Sequence, residues 1–425
     1  MPFFFASREA RSRKPKIFYG YFVVAVSVVI QLIVWGLYNS YGIFFAQFLN
    51  EFGWSRATIS GAASLCQLMI GIGAVFLGSL NDRFGPRVLM TICGVLTGAG
   101  FLLLSMVGSV WQLYVFYGLI VGIGMSGTDV VLLSTTARWF IKRRGVMSGI
   151  VKIGTGLGTL IMPFVITWIM LGYGWRNSYL IIGIFVIIIV VACAQLLRRD
   201  PVLMQLRPDG VVVVESTTTV AIEEQGMSLG QAAHTRQFWM LCFAYLVVFF
   251  CGNTIIVHIA AHAVDLGFSI SIGASVVAVI GGSSIAGRFV IGLAADKIGC
   301  RRALIICFGI LIVALLLFQI ALASLVLFIF GLFYGFCHGG FYALISPVVA
   351  EFFGTRYHGG ILGVFIFWGS VGGAIGPLLV GYIFDITSSY HLSFLLLLAL
   401  AVMGLVVILL SNRNVMDDQA LPGVR

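Results

Sequence analysis

Charge is scarce in this sequence. Asp, Glu, Lys and Arg together make up 9% of its 425 residues, where an average soluble chain carries about 25%. With 60% of the residues apolar, a water-soluble globule of this size would lack polar side chains to cover its surface. Disorder is excluded by the same composition, because it needs low hydrophobicity and high charge. Cysteine patterns with a chemical meaning are absent as well. None of the eight Cys is spaced CxxC, no His/Cys ligand spacing accompanies them, and Cys66, Cys93, Cys193 and Cys242 fall inside apolar runs. They read as isolated thiols in packed helices, and no metal is expected. No Walker-type glycine loop is present, so ATP is not implied and no cofactor is expected. What the sequence does hold is 52 Gly and 35 Phe, a composition suited to lipid-solvated helices that approach closely through small residues. At about 20 residues per span plus short loops, there is room for about a dozen spans. The expected fold class is an all-α membrane protein.

Twelve apolar runs are legible, at 19–47, 57–80, 88–108, 111–137, 145–170, 178–197, 238–263, 271–294, 303–322, 324–350, 360–383 and 391–411. The first is too long, and too poor in a small-residue cleavage site, to be a removable signal. The net charge of +10 does not mark a nucleic-acid partner, because the basic residues fall in alternate gaps between runs. Arg8, Arg11, Arg13, Lys14 and Lys16 precede the first run. Only Arg56 and Arg176 fall on the opposite side, and only Lys152 and Arg288 fall within runs. This asymmetry places both termini in the cytoplasm. Residues 198–237 form the one long polar loop, which carries Glu215, Thr217, Thr218, Thr219, Glu223 and Glu224. The expected organisation is a tail at 1–18, a six-helix bundle at 19–197, a linker at 198–237, a second six-helix bundle at 238–411 and a tail at 412–425. Residues 228–236 are expected to form a short surface helix.

The two halves match at an offset of 214. Gly53, Ser55, Gly78, Asp82, Gly85, Arg87, Gly149 and Pro163 map onto Gly267, Ser269, Gly292, Asp296, Gly299, Arg301, Gly363 and Pro377. Parallel repeats of this kind are the layout of one large class of transporters. The stretches GSLNDRFGPR at 78–87 and GLAADKIGCR at 292–301 each join two spans on the cytoplasmic side. Asp82 is placed to reach the start of span eleven and Asp296 the start of span five, where helix N-termini carry partial positive charge. With Arg83, Arg87, Arg138, Lys297 and Arg301 nearby, the expected role is a cytoplasmic latch between the halves. The competing reading is a pair of solvated turns whose charges merely orient the chain.

These paired loops, the six-plus-six layout and the length resemble the major facilitator superfamily over nearly the whole chain. Phe18-Tyr19-Gly20-Tyr21, Glu51-Phe52-Gly53-Trp54-Ser55-Arg56, Arg138-Trp139-Phe140 and Gly174-Trp175-Arg176 resemble its monocarboxylate-porter branch. Gly339-Gly340-Phe341-Tyr342-Ala343-Leu344 is similar to the tenth span of the oxalate–formate exchangers. The resemblance implies alternating access and multi-pass insertion in the inner (cytoplasmic) membrane of a bacterium.

Ionisable residues inside a membrane cost at least about 2.5–3.5 kcal/mol on insertion scales, so they mark candidate functional sites. Arg288, Asp129 and Lys152 lie eight or nine residues from the cytoplasmic charges Asp296, Arg138 and Arg144, about 12–14 Å deep at 1.5 Å per residue. Arg288 has no acid near it on its own helix, and its planar fork matches a carboxylate. In the branch this chain resembles, an Arg of the eighth span binds the substrate carboxylate, and Arg288 looks like that residue. A structural Arg bonded to carbonyls or Tyr hydroxyls is the other reading. Asp129 and Lys152 sit at matching depth on neighbouring spans. They read either as a structural ion pair or as the proton-coupling group with its partner. Tyr334, His338 and Tyr342 follow at i, i+4 and i+8 and share one helix face. That face, with Thr128, Tyr38 and Phe367, is expected to line the substrate route, although aromatic stripes also serve packing.

The expected function is secondary transport of a small, lactate-like monocarboxylate, with proton symport and no enzymatic activity. Its partners would be the anion, a proton and the bilayer, with neither nucleic acid nor an obligatory protein. A dicarboxylate exchanger is the nearest alternative. The exchangers carry a Lys in span eleven, and Phe365-Ile366-Phe367-Trp368-Gly369-Ser370 has none, unless Lys152 serves. A non-transporting ligand sensor of the same fold is the alternative from another class, and a drug-efflux porter a further one.

Overall fold

The computed structural model describes residues 18–204, 206–210, 226–268, 270–319, 323–387 and 389–411. The basic tail residues Arg8 to Lys16, the Glu- and Thr-rich stretch 211–225, Arg413 and Arg425 lie outside these. The regular elements described are helices: α1 (Tyr19–Asn39), α2 (Tyr41–Phe52), α3 (Arg56–Phe84), α4 (Pro86–Leu104), α5 (Val110–Leu113), α6 (Gly122–Met125), α7 (Gly127–Trp139), α8 (Arg144–Leu196), α9 (Leu229–Ala233), α10 (Arg236–Asp265), α11 (Ile270–Ile298), α12 (Cys300–Gln319), α13 (Ser324–Phe353), α14 (His358–Thr387) and α15 (His391–Leu410). A π-helical stretch, Tyr114–Val121, joins α5 to α6. Among the described residues, eleven helical segments are long and apolar enough to cross a membrane. One of them is α8, which takes in the two runs read at 145–170 and 178–197. Gly174 breaks it with φ 75° and ψ 163°, a left-handed conformation that glycine adopts without a Cβ penalty.

Local chemistry accounts for the boundaries. Ser55 caps α3 by accepting the Thr58 N–H at 3.1 Å. Gly85, at φ 78°, ends α3, and Pro86 opens α4 at the position where a missing N–H is harmless. The surface helix read at 228–236 is the five-residue α9, held by a Ser228–Gln231 capping box. The run at 19–47 is interrupted at Ser40, whose hydroxyl donates to the Gly36 carbonyl at 2.6 Å.

The repeat is visible in the backbone. Gly53 and Gly267 both have positive φ, 67° and 85°, as do Gly85 and Gly299, 78° and 87°. The fifth-helix prolines, Pro163 in α8 and Pro377 in α14, also answer one another. Pro377 leaves the Gly373 carbonyl without its helical donor, and Asn253 of α10 donates to that carbonyl at 3.3 Å. Its mate Asn39 of α1 donates to the Thr159 hydroxyl at 2.7 Å, four residues before Pro163. In both halves an Asn of the first helix supports the proline region of the fifth.

The halves meet through α3 against α14 and α8 against α11, at glycines. Gly78 packs on the Gly359 carbonyl, and its mate Gly292 packs on the carbonyl of Gly145, the mate of Gly359. Gly363 meets Ala74 and Gly149 meets Arg288 in the same reciprocal way. These close approaches continue as far as Gly71 beside Ser370 and Gly156 beside Ile285. Beyond that level the glycines turn to their own half: Gly158 faces Leu32 of α1, and Gly372 faces Leu246 of α10. Small residues are what permit such backbone contact between helices without a hydrophobic drive in lipid.

Candidate functional site

Two groups of polar residues lie where the halves touch. At one end, the Asp82 carboxylate accepts the N–H groups of Gly359 at 3.3 Å and Gly360 at 3.1 Å, the first turn of α14. Arg138 donates to Asp82 at 2.7 Å and to the Arg356 carbonyl at 3.5 Å. The mate of Asp82, Asp296, accepts the N–H groups of Gly145 at 2.6 Å and Val146 at 2.9 Å, the first turn of α8. A carboxylate on exposed helix-start donors is favoured by both hydrogen bonding and the dipole. Ser346 adds a further bridge, donating to the Leu133 carbonyl at 3.1 Å.

The other basic residues read into this network are placed elsewhere. Arg87 donates to Gln195 at 2.7 Å within its own half. Arg301 donates to the carbonyls of Ile408 and Leu409, capping the end of α15. Arg83 and Lys297 are exposed. The four therefore do not close a charge network with the two aspartates. Helix ends closer at hand take up Arg87 and Arg301.

About two turns further in, seven to nine residues along the helices, lies the second group. Lys152 of α8 donates to Asp129 of α7 at 2.7 Å, and Gln31 of α1 donates to the same carboxylate oxygen at 2.7 Å. Thr155 donates to Gln31 at 2.7 Å, and the carbonyl of buried Thr128 accepts from Gln31 at 3.3 Å. The Lys152 ammonium stands between two aromatic faces, 5.3 Å from the Trp35 centroid and 5.4 Å from that of Tyr342. Trp35 belongs to the first half and Tyr342 to the second, so one cation touches both. Tyr342 continues along α13 into His338, 4.8 Å away, and Tyr334, 5.6 Å beyond. The Tyr334 hydroxyl is turned away, donating to the Gly252 carbonyl at 3.0 Å.

Arg288 is 4% exposed. Its Nη1 donates to Ser284, one turn back, at 3.0 Å, and its Nε is buried without an acceptor. A Cβ on Gly156 would stand 2.7 Å from that Nη1, so the glycine makes room for the guanidinium against α8, one turn from Lys152. The repeat sharpens the contrast: the mate of Arg288 is Ala74, and both backbones face a glycine of the other half. The framework is duplicated and the charge is not. Buried polar atoms without a partner also include Trp35 Nε1 and His338 Nδ1. Tyr38 donates to Gln67 at 2.9 Å, and Gln67 reaches Ser370 of the second half at 3.4 Å. Phe367 is half-buried on the same turn of α14, its ring against Trp368.

Sequence reasoning named Arg288, Asp129, Lys152, His338 and Tyr342, which the fold gathers around one level, with Tyr38 and Phe367 at the Gln67–Ser370 contact. It missed Trp35, Thr155 and Ser284. Trp35 was findable, because Gln31, Trp35 and Tyr38 share a face of α1 at i, i+4 and i+7. The aromatic motifs have a different role. Glu51 accepts from Trp175 at 2.7 Å and pairs with Arg176 at 2.6 Å, and Phe18 packs 5.5 Å from Trp139. They tie α2 to the Gly174 break and the start of α1 to the end of α7.

Comparison with known proteins agrees with this architecture. The profile described as the Major Facilitator Superfamily matches residues 24–318 and, in an overlapping match, 241–422. Monocarboxylate transporter 13 of Rattus norvegicus is 29% identical over 387 residues, covering 90% of this chain and 87% of the relative. The oxalate:formate antiporter of Oxalobacter formigenes is 28% identical over 368 residues, 84% of either chain. Among solved structures, the proton:xylose symporter XylE superposes with a TM-score of 0.70 at 14% identity, over 91% of this chain and 94% of that one. The human organic anion transporter MFSD10 gives 0.67 at 16%, over 92% and 99%. These likenesses in fold, with profile matches that together run from residue 24 to 422, make this chain a member of the major facilitator superfamily, a multi-pass membrane transporter and not an enzyme.

Proposed function

We propose that the protein carries a small organic monocarboxylate, lactate-like in size, across the cytoplasmic membrane by alternating access. The observation that carries this reading is Arg288: a buried guanidinium with one unpartnered donor, no acidic partner on its own helix, and a glycine-made space beside it. An isolated buried cation is costly unless an anion compensates it. The names of the relatives, monocarboxylate transporters and an oxalate:formate antiporter, support an organic anion. Counting α8 as two spans divided at Gly174 gives twelve, in two six-helix bundles at 19–197 and 238–411, with both termini in the cytoplasm. In that orientation the Asp82 and Asp296 contacts form the cytoplasmic latch, and the structure stands with this end shut.

Transport then follows from the geometry. The anion enters from the far side, reaches Arg288 and draws the halves together there. The latch carboxylates release the first turns of α8 and α14, and the cytoplasmic end opens. Asp129, the acidic side chain that its contacts with Lys152 and Gln31 place at the level of the anion, is the residue assigned to the coupling proton. Proton symport is therefore the mode of coupling. The test is binding of an acid against its amide, read by thermal shift on purified protein. Wild type stabilised by lactate and not by lactamide, with the difference lost in Arg288→Gln, is the expected result. Equal responses to acid and amide in the wild type would overturn it.

A further inference from the structure

We infer that Asp129 fixes the valence of the anion: by neutralising Lys152 it leaves a net single positive charge at the central level, and so restricts the site to monoanions. The inference rests on the carboxylate reading above and concerns selectivity within it. Among the described residues, three charged side chains lie at this depth: Asp129, Lys152 and Arg288. Lys152 and Asp129 are paired at 2.7 Å, with side chains 2% and 15% exposed. Arg288 has a hydroxyl partner, Ser284, and no salt bridge among those described.

Lys152 is not remote from the anion site. Its ammonium lies against Tyr342, the neighbour of His338 on the α13 face, and Lys152 is one helical turn from Gly156, which abuts Arg288. Lys152 and the glycine that abuts Arg288 are about 6 Å apart along one turn of α8, so two unpaired cations here would present two carboxylate sites. The pairing with Asp129 closes one of them. With Asp129 ionised, its state when the anion is first recognised and before any coupling proton is taken up, a monoanion at Arg288 brings the level to neutrality. A dicarboxylate would leave it with one excess negative charge, and would set its second carboxylate against that of Asp129 in a poorly screened interior. The remaining polar groups facing this level, Gln31, Trp35, Tyr38, His338 and Tyr342, are neutral donors or acceptors and do not change the count in their ordinary neutral forms.

The experiment compares lactate with malonate as competitors for binding and for proteoliposome uptake, using full-length protein. Four proteins are measured: wild type, Asp129→Asn, Lys152→Met, and the double variant Asp129→Asn/Lys152→Met. Wild type should favour lactate. Asp129→Asn should shift the lactate-to-malonate ratio toward malonate by about tenfold or more. Lys152→Met leaves Asp129 opposing Arg288 and should lose lactate binding by about tenfold, while the double variant recovers both the binding and the lactate preference. A folded Asp129→Asn protein with an unchanged ratio overturns the inference. If that variant does not fold, the other three proteins decide: failure of the double variant to recover what Lys152→Met loses overturns it equally. Wild-type protein that distinguishes neither anion from lactamide would instead refute the carboxylate reading itself.

Discussion

At the scale of single residues, position in the pair of halves matters as much as residue type. Arg288 and Ala74 occupy equivalent places on equivalent glycine contacts, yet one is a charged donor and the other a methyl group. Identity of charge is not enough for the arginine's role. Lysine would keep the charge and lose the planar fork, and its ammonium is a poor substitute for the Nη1 bond to Ser284 at 3.0 Å. Arg288→Lys should therefore fold normally and weaken lactate binding by about tenfold or more, an effect of the 1.5–3 kcal/mol size of a charge-assisted hydrogen bond. Isothermal titration of the purified variant checks this, and wild-type affinity would show that charge alone suffices. The Lys152–Asp129 pair makes a separate prediction about stability. Asp129→Ala leaves a buried ammonium without its carboxylate and should cost about 3–5 kcal/mol. Exchanging the two residues should return much of it in a thermal melt.

At the scale of elements, the helices illustrate what a sequence states and what it withholds. Apolar runs and short repeats are local, and so the spans, the short helix near 228–236 and the duplication at an offset of 214 were readable. The interruption at Ser40 and the π-helical stretch at Tyr114–Val121 were not, because neither changes the apolar pattern that marks a span. The reach of Asp82 and Asp296 to helix starts of the other half was also legible from their repeat, whereas the partners of Arg87 and Arg301 depend on which helix ends come near after folding. The face of α1 that holds Trp35 is readable from its spacing, whereas its place over Lys152 depends on how α1 and α8 pack. The duplicated asparagines belong at this scale. Asn253 supplies a donor to the Gly373 carbonyl that Pro377 leaves unpaired. Asn253→Ala should destabilise the protein by about 1–3 kcal/mol, the penalty of an unsatisfied buried group, as measured by thermal unfolding. Asn253→Asp, which removes the donor while retaining the shape, should destabilise it similarly.

At the scale of the whole molecule, the two halves are held together at one end by carboxylates on helix starts and by glycine contacts. Further in, they share the polar level around Lys152 and Arg288. In the proposed rocking motion the two sets of contacts have different duties. Replacing Asp82 or Asp296 by Asn removes charge from the helix-start contacts and leaves the central residues untouched. Such variants should bind lactate nearly as well as wild type and transport it more slowly. Binding lost with transport rates preserved would reverse the assignment of latch and site. The duplication of the two halves was foreshadowed by the repeat, while the level at which they touch emerged only from the packing of Gly78, Gly145, Gly292 and Gly359.

The central claim, carboxylate transport anchored by Arg288 and coupled to protons, is tested most directly by uptake of labelled lactate into proteoliposomes with and without an inward pH gradient. Wild-type protein should accumulate lactate with the gradient and only equilibrate it without. Arg288→Gln should do neither, and Asp129→Asn, where folded, should exchange lactate without responding to the gradient. Near wild-type lactate accumulation by a well-folded Arg288→Gln protein would contradict the account.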